Sequence, residues 1–231
     1  MSRFASIFSS ALLGTVASLL FAATAIADVN SGPGFYIGAG VGGYHTAEDF
    51  KEIENSYVKS GMKTNNLDTP VYGGMFGYKF SEYFRADVNG QYRKFKYSAS
   101  DEIANLSQKI KNYSVFLNGY VDLPNYTVFT PYVTVGAGYS HINPDSLKFR
   151  DKVSLGISYD APGIATDSFA WNVGVGTRMK FYKSLDLDLG YRYTDLGEVK
   201  VDKVSPGGFD ISSASQNLKI HQLIVSLICN F

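Results

Sequence analysis

Nine charged residues, Lys79, Arg85, Asp87, Asp122, Arg178, Lys180, Asp186, Asp188 and Arg192, stand in segments that are apolar at every second position. The pattern is clearest from Leu185 to Thr194. There Leu185, Leu187, Leu189, Tyr191 and Tyr193 alternate with Asp186, Asp188, Gly190, Arg192 and Thr194. An extended chain sends successive side chains to opposite faces, so one face is apolar and the other carries charge of both signs. Charges held this way form either a plug of mutually paired ions or a path along which ions move. Phe116, Tyr120, Tyr132, Ile224 and Ile228 share the charged face and occupy space on it, which favours the plug. Ions buried without partners are costly, so such a plug must be paired internally. The rest of the chain offers little chemistry. His45, His141 and His221 lack metal-ligand spacing. The single Cys229 forms no intrachain disulfide and falls on the apolar face, where a thiol acts as a small hydrophobe. No catalytic, metal or cofactor residues are expected.

Eight segments repeat the alternation: 34–44, 71–80, 84–92, 111–123, 128–141, 169–181, 185–194 and 218–231. Residues 1–27 precede them as a secretory leader, with Arg3 as the only charge, an apolar stretch over 11–23 and Ala25-Ile26-Ala27 as the cleavage signal. Residues 28–231 are then one domain. Its charge is close to balanced, since 21 basic residues less Arg3 stand against 21 acidic ones, and a nucleic-acid partner is not expected. After the leader no apolar run reaches the length of about 18 residues that a membrane helix needs. The 17 Tyr, 16 Phe and 23 Gly instead indicate a β protein.

The connections alternate between short and long. Phe80 to Phe84, Leu123 to Thr127 and Phe181 to Leu185 are tight, and the others are much longer. Aromatic residues mark both ends of the strands. Phe80, Tyr83, Phe84, Tyr126, Phe129, Phe181, Tyr182 and Phe231 lie toward the tight turns; Tyr44, Tyr72, Tyr92, Tyr113, Tyr139, Phe169, Trp171 and Tyr193 lie toward the long loops. Two aromatic girdles and this loop asymmetry are features of a barrel that crosses a bilayer with strands. The expected fold is all-β, an eight-stranded antiparallel up-and-down transmembrane barrel, because a backbone group unpaired in hydrocarbon is too costly for an open sheet.

Gly190-Tyr191-Arg192-Tyr193-Thr194-Asp195-Leu196-Gly197, together with Thr130-Pro131-Tyr132-Val133 and Gly136-Ala137-Gly138-Tyr139, resembles the penultimate and fifth strands of the outer-membrane β-barrel family that includes opacity-protein-like surface antigens and the OmpA-type barrels. The resemblance covers essentially the whole mature chain. It implies the outer membrane of a Gram-negative bacterium, contact with outer-membrane lipid, and recognition of a terminal strand by the barrel-assembly machinery. Leu223, Val225, Leu227 and Phe231 match that terminal signal. Enzymes that deacylate outer-membrane lipid carry a His-x-Ser arrangement, which His141 lacks. The long loops remain as sites of recognition. In the first, Phe50, Ile53 and Tyr57 have helical spacing over 48–59; the second, 98–108, reads as short and polar. The third, 142–167, carries Val153, Leu155, Ile157 and Tyr159 with strand-like alternation and the apolar Phe149 before them, and the fourth turns at Pro206-Gly207-Gly208. The expected role is that of a surface protein, structural or adhesin-like, whose loops contact host-surface ligands. A small-solute porin is the alternative and a lipid-modifying enzyme the third reading.

Overall fold

The computed structural model describes residues 32–46, 70–100, 104–145, 147–151, 158–161, 165–201 and 214–231. Residues 1–27, expected as a leader, the segment with Phe50, Ile53 and Tyr57, residue Leu155, and the Pro206-Gly207-Gly208 turn all lie outside them.

Eight long strands close a barrel: β1 (Gly34–Thr46), β2 (Pro70–Lys79), β3 (Phe84–Ser100), β4 (Ala104–Asp122), β5 (Phe129–Pro144), β8 (Thr166–Tyr182), β9 (Leu185–Val201) and β10 (Ala214–Asn230). Each pairs antiparallel with its neighbour, and β1–β10 and β3–β4 leave no edge within the ring. The remaining two strands, β6 (Leu147–Asp151) and β7 (Ser158–Ala161), form a hairpin that pairs outside the ring with the far end of β4. The tight connections at 80–83, 123–128 and 183–184 share one end. Ser81 closes the first, its Oγ accepting from the backbone N–H groups of Tyr83 and Phe84 at 3.2 Å.

Alternation is obeyed strand by strand. In β4, Asn112, Ser114, Phe116, Asn118, Tyr120 and Asp122 are buried in the bore, while Tyr113, Val115, Leu117 and Val121 are exposed toward lipid. Both girdles are present on the outer surface, with one correction. Tyr44, expected in the long-loop girdle, is only 2% exposed and packs edge-on against Phe95 inside the bore. It follows Gly42 in register, so its parity is inward. Cys229 holds the expected outward register but is only 1% exposed, because its short side chain lies between Ile37 and Leu185 of the flanking strands.

The strands outrun the expected girdles. β3 and β4 stay paired from Tyr92 and Tyr113 to Ser100 and Asn105, a rise of about 25 Å at about 3.3 Å per residue. The loop expected over 98–108 is therefore mostly ribbon, with only 101–103 between the strands. Strand pairing also continues in the third connection, but as the β6–β7 hairpin docked on β4. β9 and β10 extend likewise to Val201 and Ala214, past a register shift between Asn217 and Lys219. Opposite that shift Gly197 takes φ +84°, a left-handed conformation that glycine adopts without strain, and its N–H donates to Asp195 Oδ1 at 2.9 Å.

Candidate functional site

The bore contains two layers. Toward the tight turns, Arg85 from β3 lies against two rings that meet edge-on, its Cζ 3.7 Å from the centroid of Tyr120 and 4.7 Å from that of Tyr132. Its Nε donates to both carboxylate oxygens of Asp122, at 3.0 and 2.9 Å. These groups converge because β3, β4 and β5 are adjacent and antiparallel, with Arg85 opposite Tyr120 and Asp122 opposite Tyr132. Across the bore, Arg178 and Asp186 of β8 and β9 approach to 3.7 Å. Asn230 Nδ2 donates to the same carboxylate oxygen, Asp186 Oδ2, at 2.9 Å.

The remaining charges hydrogen-bond to neutral partners, although Arg192 Nη1 is buried without one. Asp87 accepts from Asn118 Nδ2 at 2.8 Å and from the Tyr36 hydroxyl at 3.2 Å. Asp188 accepts from the Tyr132 hydroxyl at 2.9 Å, and Arg192 Nη2 donates to the Tyr120 hydroxyl at 2.7 Å. Asn172 Nδ2 donates to Asn118 Oδ1 at 3.0 Å, linking β8 to β4 across the interior. The charged face is thus a network of guanidinium groups, carboxylates and phenols. Two residues expected in it are not: Lys180 is exposed and Lys79 half-buried, both at the tight-turn ends of their strands, where a lysine reaches water.

Toward the long loops the bore changes character. Tyr44, Val71, Phe95, Ile110, Phe116, Ile142, Ala170, Leu196, Leu218 and Ile220 form one apolar cluster that closes the interior from wall to wall. Beneath it Arg93 is fully buried, donating to Gln91 Oε1 and, at 3.3 Å, to Ser114 Oγ. Reasoning from sequence missed this layer and Arg93, because it ended the third strand at Tyr92 and began the fourth at Lys111. One signal was available. Beyond Tyr92 the alternation inverts, with Lys94 and Lys96 flanking Phe95, as expected where the outer face meets water and the inner face is a core.

The histidines lie on the outer face. His141 Nδ1 is 2.6 Å from Asp167 Oδ1, and His221 Nδ1 is 2.6 Å from the Tyr191 hydroxyl. Register places His45 opposite His221, a proximity that sequence spacing hid. Among the described residues no three His, Cys, Asp or Glu side chains converge on a metal site. In the terminal strand Leu223 and Phe231 are exposed outward, with Val225 and Leu227 half-buried between them. The Phe231 N–H donates to the Phe35 carbonyl at 3.0 Å, so the last residue is tied to the first strand. Phe149 of β6 stands in register between Leu106 of β4 and Tyr159 of β7.

Similarity to known proteins agrees with this architecture. Outer membrane protein PagN of Salmonella typhimurium is 28% identical over 99 residues, which is 43% of this chain and 40% of PagN. A putative adhesin of Rickettsia felis is 24% identical over 222 residues, covering 90% of this chain and 96% of the adhesin. The chain spans half or less of the curated relatives that it matches most strongly. The crystal structure of Neisserial surface protein A superposes with a TM-score of 0.52 at 16% identity, over 87% of this chain and all of that one, a likeness of fold. Residues 13–231 match the model of the outer membrane protein beta-barrel domain, and the chain belongs to that family of outer-membrane barrels.

Proposed function

We propose that this chain is a non-conducting, non-enzymatic surface barrel that binds at the cell exterior in the manner of an adhesin. The observation that carries the proposal is the sheet of β3, β4, β6 and β7, which stands well clear of the girdle on a barrel whose bore is filled. Recognition usually resides on segments held above a rigid scaffold, and here the scaffold extends into the projecting segment itself. The adhesin-like relative supports the same reading. The long connections face outward and both chain ends face the periplasm, as in barrels with tight periplasmic turns. Leu223, Val225, Leu227 and Phe231 are the segment that engages the assembly machinery, after removal of residues 1–27. Lipid surrounds the outer face, and the ligand at the exterior is a host-surface component.

The test is to excise the β6–β7 hairpin, and separately to shorten the β3–β4 ribbon and the 47–69 connection, in cells that display the barrel. Heat-dependent gel mobility confirms folding, and adherence to host cells is measured. Adherence should fall to that of cells lacking the protein in at least one variant. Unchanged adherence in all of them would leave a purely structural barrel.

Two further outcomes are expected. In planar bilayers the purified barrel should show no steady conductance, since both a polar network and an apolar layer cross the bore. Stable channels of uniform size would favour the porin alternative. Deleting Phe231 should lower the amount of heat-modifiable barrel in the outer membrane, and normal levels would remove that residue from the assembly signal.

A further inference from the structure

Four lysine positions stand just above the long-loop girdle on one hairpin. Register sets Lys94 of β3 opposite Lys111 of β4, and Lys96 opposite Lys109 two residues farther out. Like charges directly across a strand pair repel, so nothing in the sheet accounts for this square. Lys111 meets Asp145 at 3.2 Å, and both side chains remain about two-fifths exposed, at 41% and 44%. Lys94 and Lys109 are exposed, and the Lys94 ammonium lies 5.7 Å from the centroid of Tyr92, a girdle residue. Farther around the barrel β8 and β9 carry Asp167 and Asp195, the latter opposite Lys219 of β10.

Directly below the lysines the lipid face has a shallow groove of about 440 Å³. Its floor is Gly74 and Gly90, paired across β2 and β3, and its walls include Tyr72, Tyr92, Tyr113 and Val115. A Cβ at Gly90 would meet no atom within 4 Å, so no packing partner in the protein explains glycine there. The aromatic and aliphatic walls of the groove face the acyl chains of the bilayer, and Lys94, Lys109 and Lys111 stand above it.

We infer that the β2–β4 face is a specific site for a phosphorylated glycolipid of the outer leaflet, with its phosphates on Lys94, Lys109 and Lys111 and one acyl chain in the groove over Gly74 and Gly90. The inference rests on the outward orientation proposed above. Charge complementarity selects the occupant: a zwitterionic lipid leaves the square uncompensated, and a soluble phosphate leaves the groove unfilled. The groove lies at the depth where the first segment of an acyl chain begins, so both halves of one molecule are engaged.

The experiment uses the full mature barrel in neutral detergent and native mass spectrometry, with bisphosphorylated lipid A as the probe. The comparators are its deacylated disaccharide, inorganic phosphate and a zwitterionic phospholipid. Lipid A should be retained far better than any of the three. Lys94→Ser combined with Lys111→Ser should weaken retention about twenty-fivefold, at about fivefold for each charge removed near a headgroup, and Lys183→Ser at the tight-turn end should not. Gly90→Val should weaken retention of lipid A and leave the weak binding of the deacylated disaccharide unchanged. Heat-dependent mobility checks the fold of each variant. Equal retention by the double lysine variant, or equal binding of lipid A and its deacylated form, would overturn the site. A tag at Gly207 tests orientation independently: inaccessibility on intact cells would fault the orientation, whereas an accessible tag with no lipid selectivity would fault the site.

Discussion

Arg85→Ala is expected to be among the most destabilising single changes in the barrel, at roughly 3–5 kcal/mol, because it strands a buried carboxylate. Asp122 is 4% exposed and receives both of its charge-assisted hydrogen bonds from Arg85 Nε. The rings of Tyr120 and Tyr132 also lose the cation that lies against them. Arg192→Ala should cost distinctly less. Arg192 donates to a phenol, so its removal leaves a neutral hydroxyl that needs a new partner rather than an unpaired ion. The measurement is the urea midpoint of the refolded barrel in lipid vesicles, wild type against the two variants. The ordering, with Arg85→Ala below Arg192→Ala, is what the network requires. A double variant, Arg85→Ala with Asp122→Ala, should recover part of the loss, since it removes both ions together. If Arg192→Ala were the more damaging change, the pairing seen around Asp122 would not be what holds this layer.

That contrast between the arginines also shows what the sequence can and cannot carry. Alternation placed Arg85, Asp87, Asp122, Arg178, Asp186, Asp188 and Arg192 on the inner face, because period two follows from the pleat alone. Which of them touch depends on register and on how a closed sheet brings β3 near β5 and β9 across the bore, and neither follows from a single strand. Hence Tyr120 and Tyr132 were expected only as filling and Tyr36 was given no role, although these phenols contact most of the charges. The two lysines were misplaced for a related reason: strand parity fixes direction but not depth, and a lysine at a strand end reaches solvent. Above the girdle the failure was one of boundaries. The second connection was read as loop because the outer face there is polar and the inner face apolar, the reverse of the pattern within the membrane. The same inversion hid Tyr44, whose aromatic ring suggested a girdle position although its parity is inward. The fold was legible because a bilayer demands apolar residues on one face of every strand; the projecting sheet was less so because water makes no such demand.

Glycine is where that difference becomes measurable, because the same substitution has opposite meanings on the two faces. Gly176 and Gly77 make room for rings inside the bore: Tyr132 lies against Gly176, and Tyr36 against Gly77. A Cβ at Gly176 would fall inside van der Waals contact with that ring and 2.6 Å from the Leu189 carbonyl of the next strand, which is backbone and cannot swing aside. Gly176→Val should therefore displace Tyr132, break its hydrogen bond to Asp188 and loosen the stack on Arg85, at an expected cost of about 2–3 kcal/mol or outright loss of folded barrel. Gly119→Val is the comparison. At Gly119 an added Cβ meets nothing within 4 Å, and the new side chain enters lipid beside Leu117 and Val135, so stability should hold or rise slightly. Both variants are read by heat-dependent mobility and urea midpoint in the same vesicles. Equal effects would mean that the glycines answer to backbone conformation rather than to space, and the view of Tyr132 as a ring seated on glycine would fail with them.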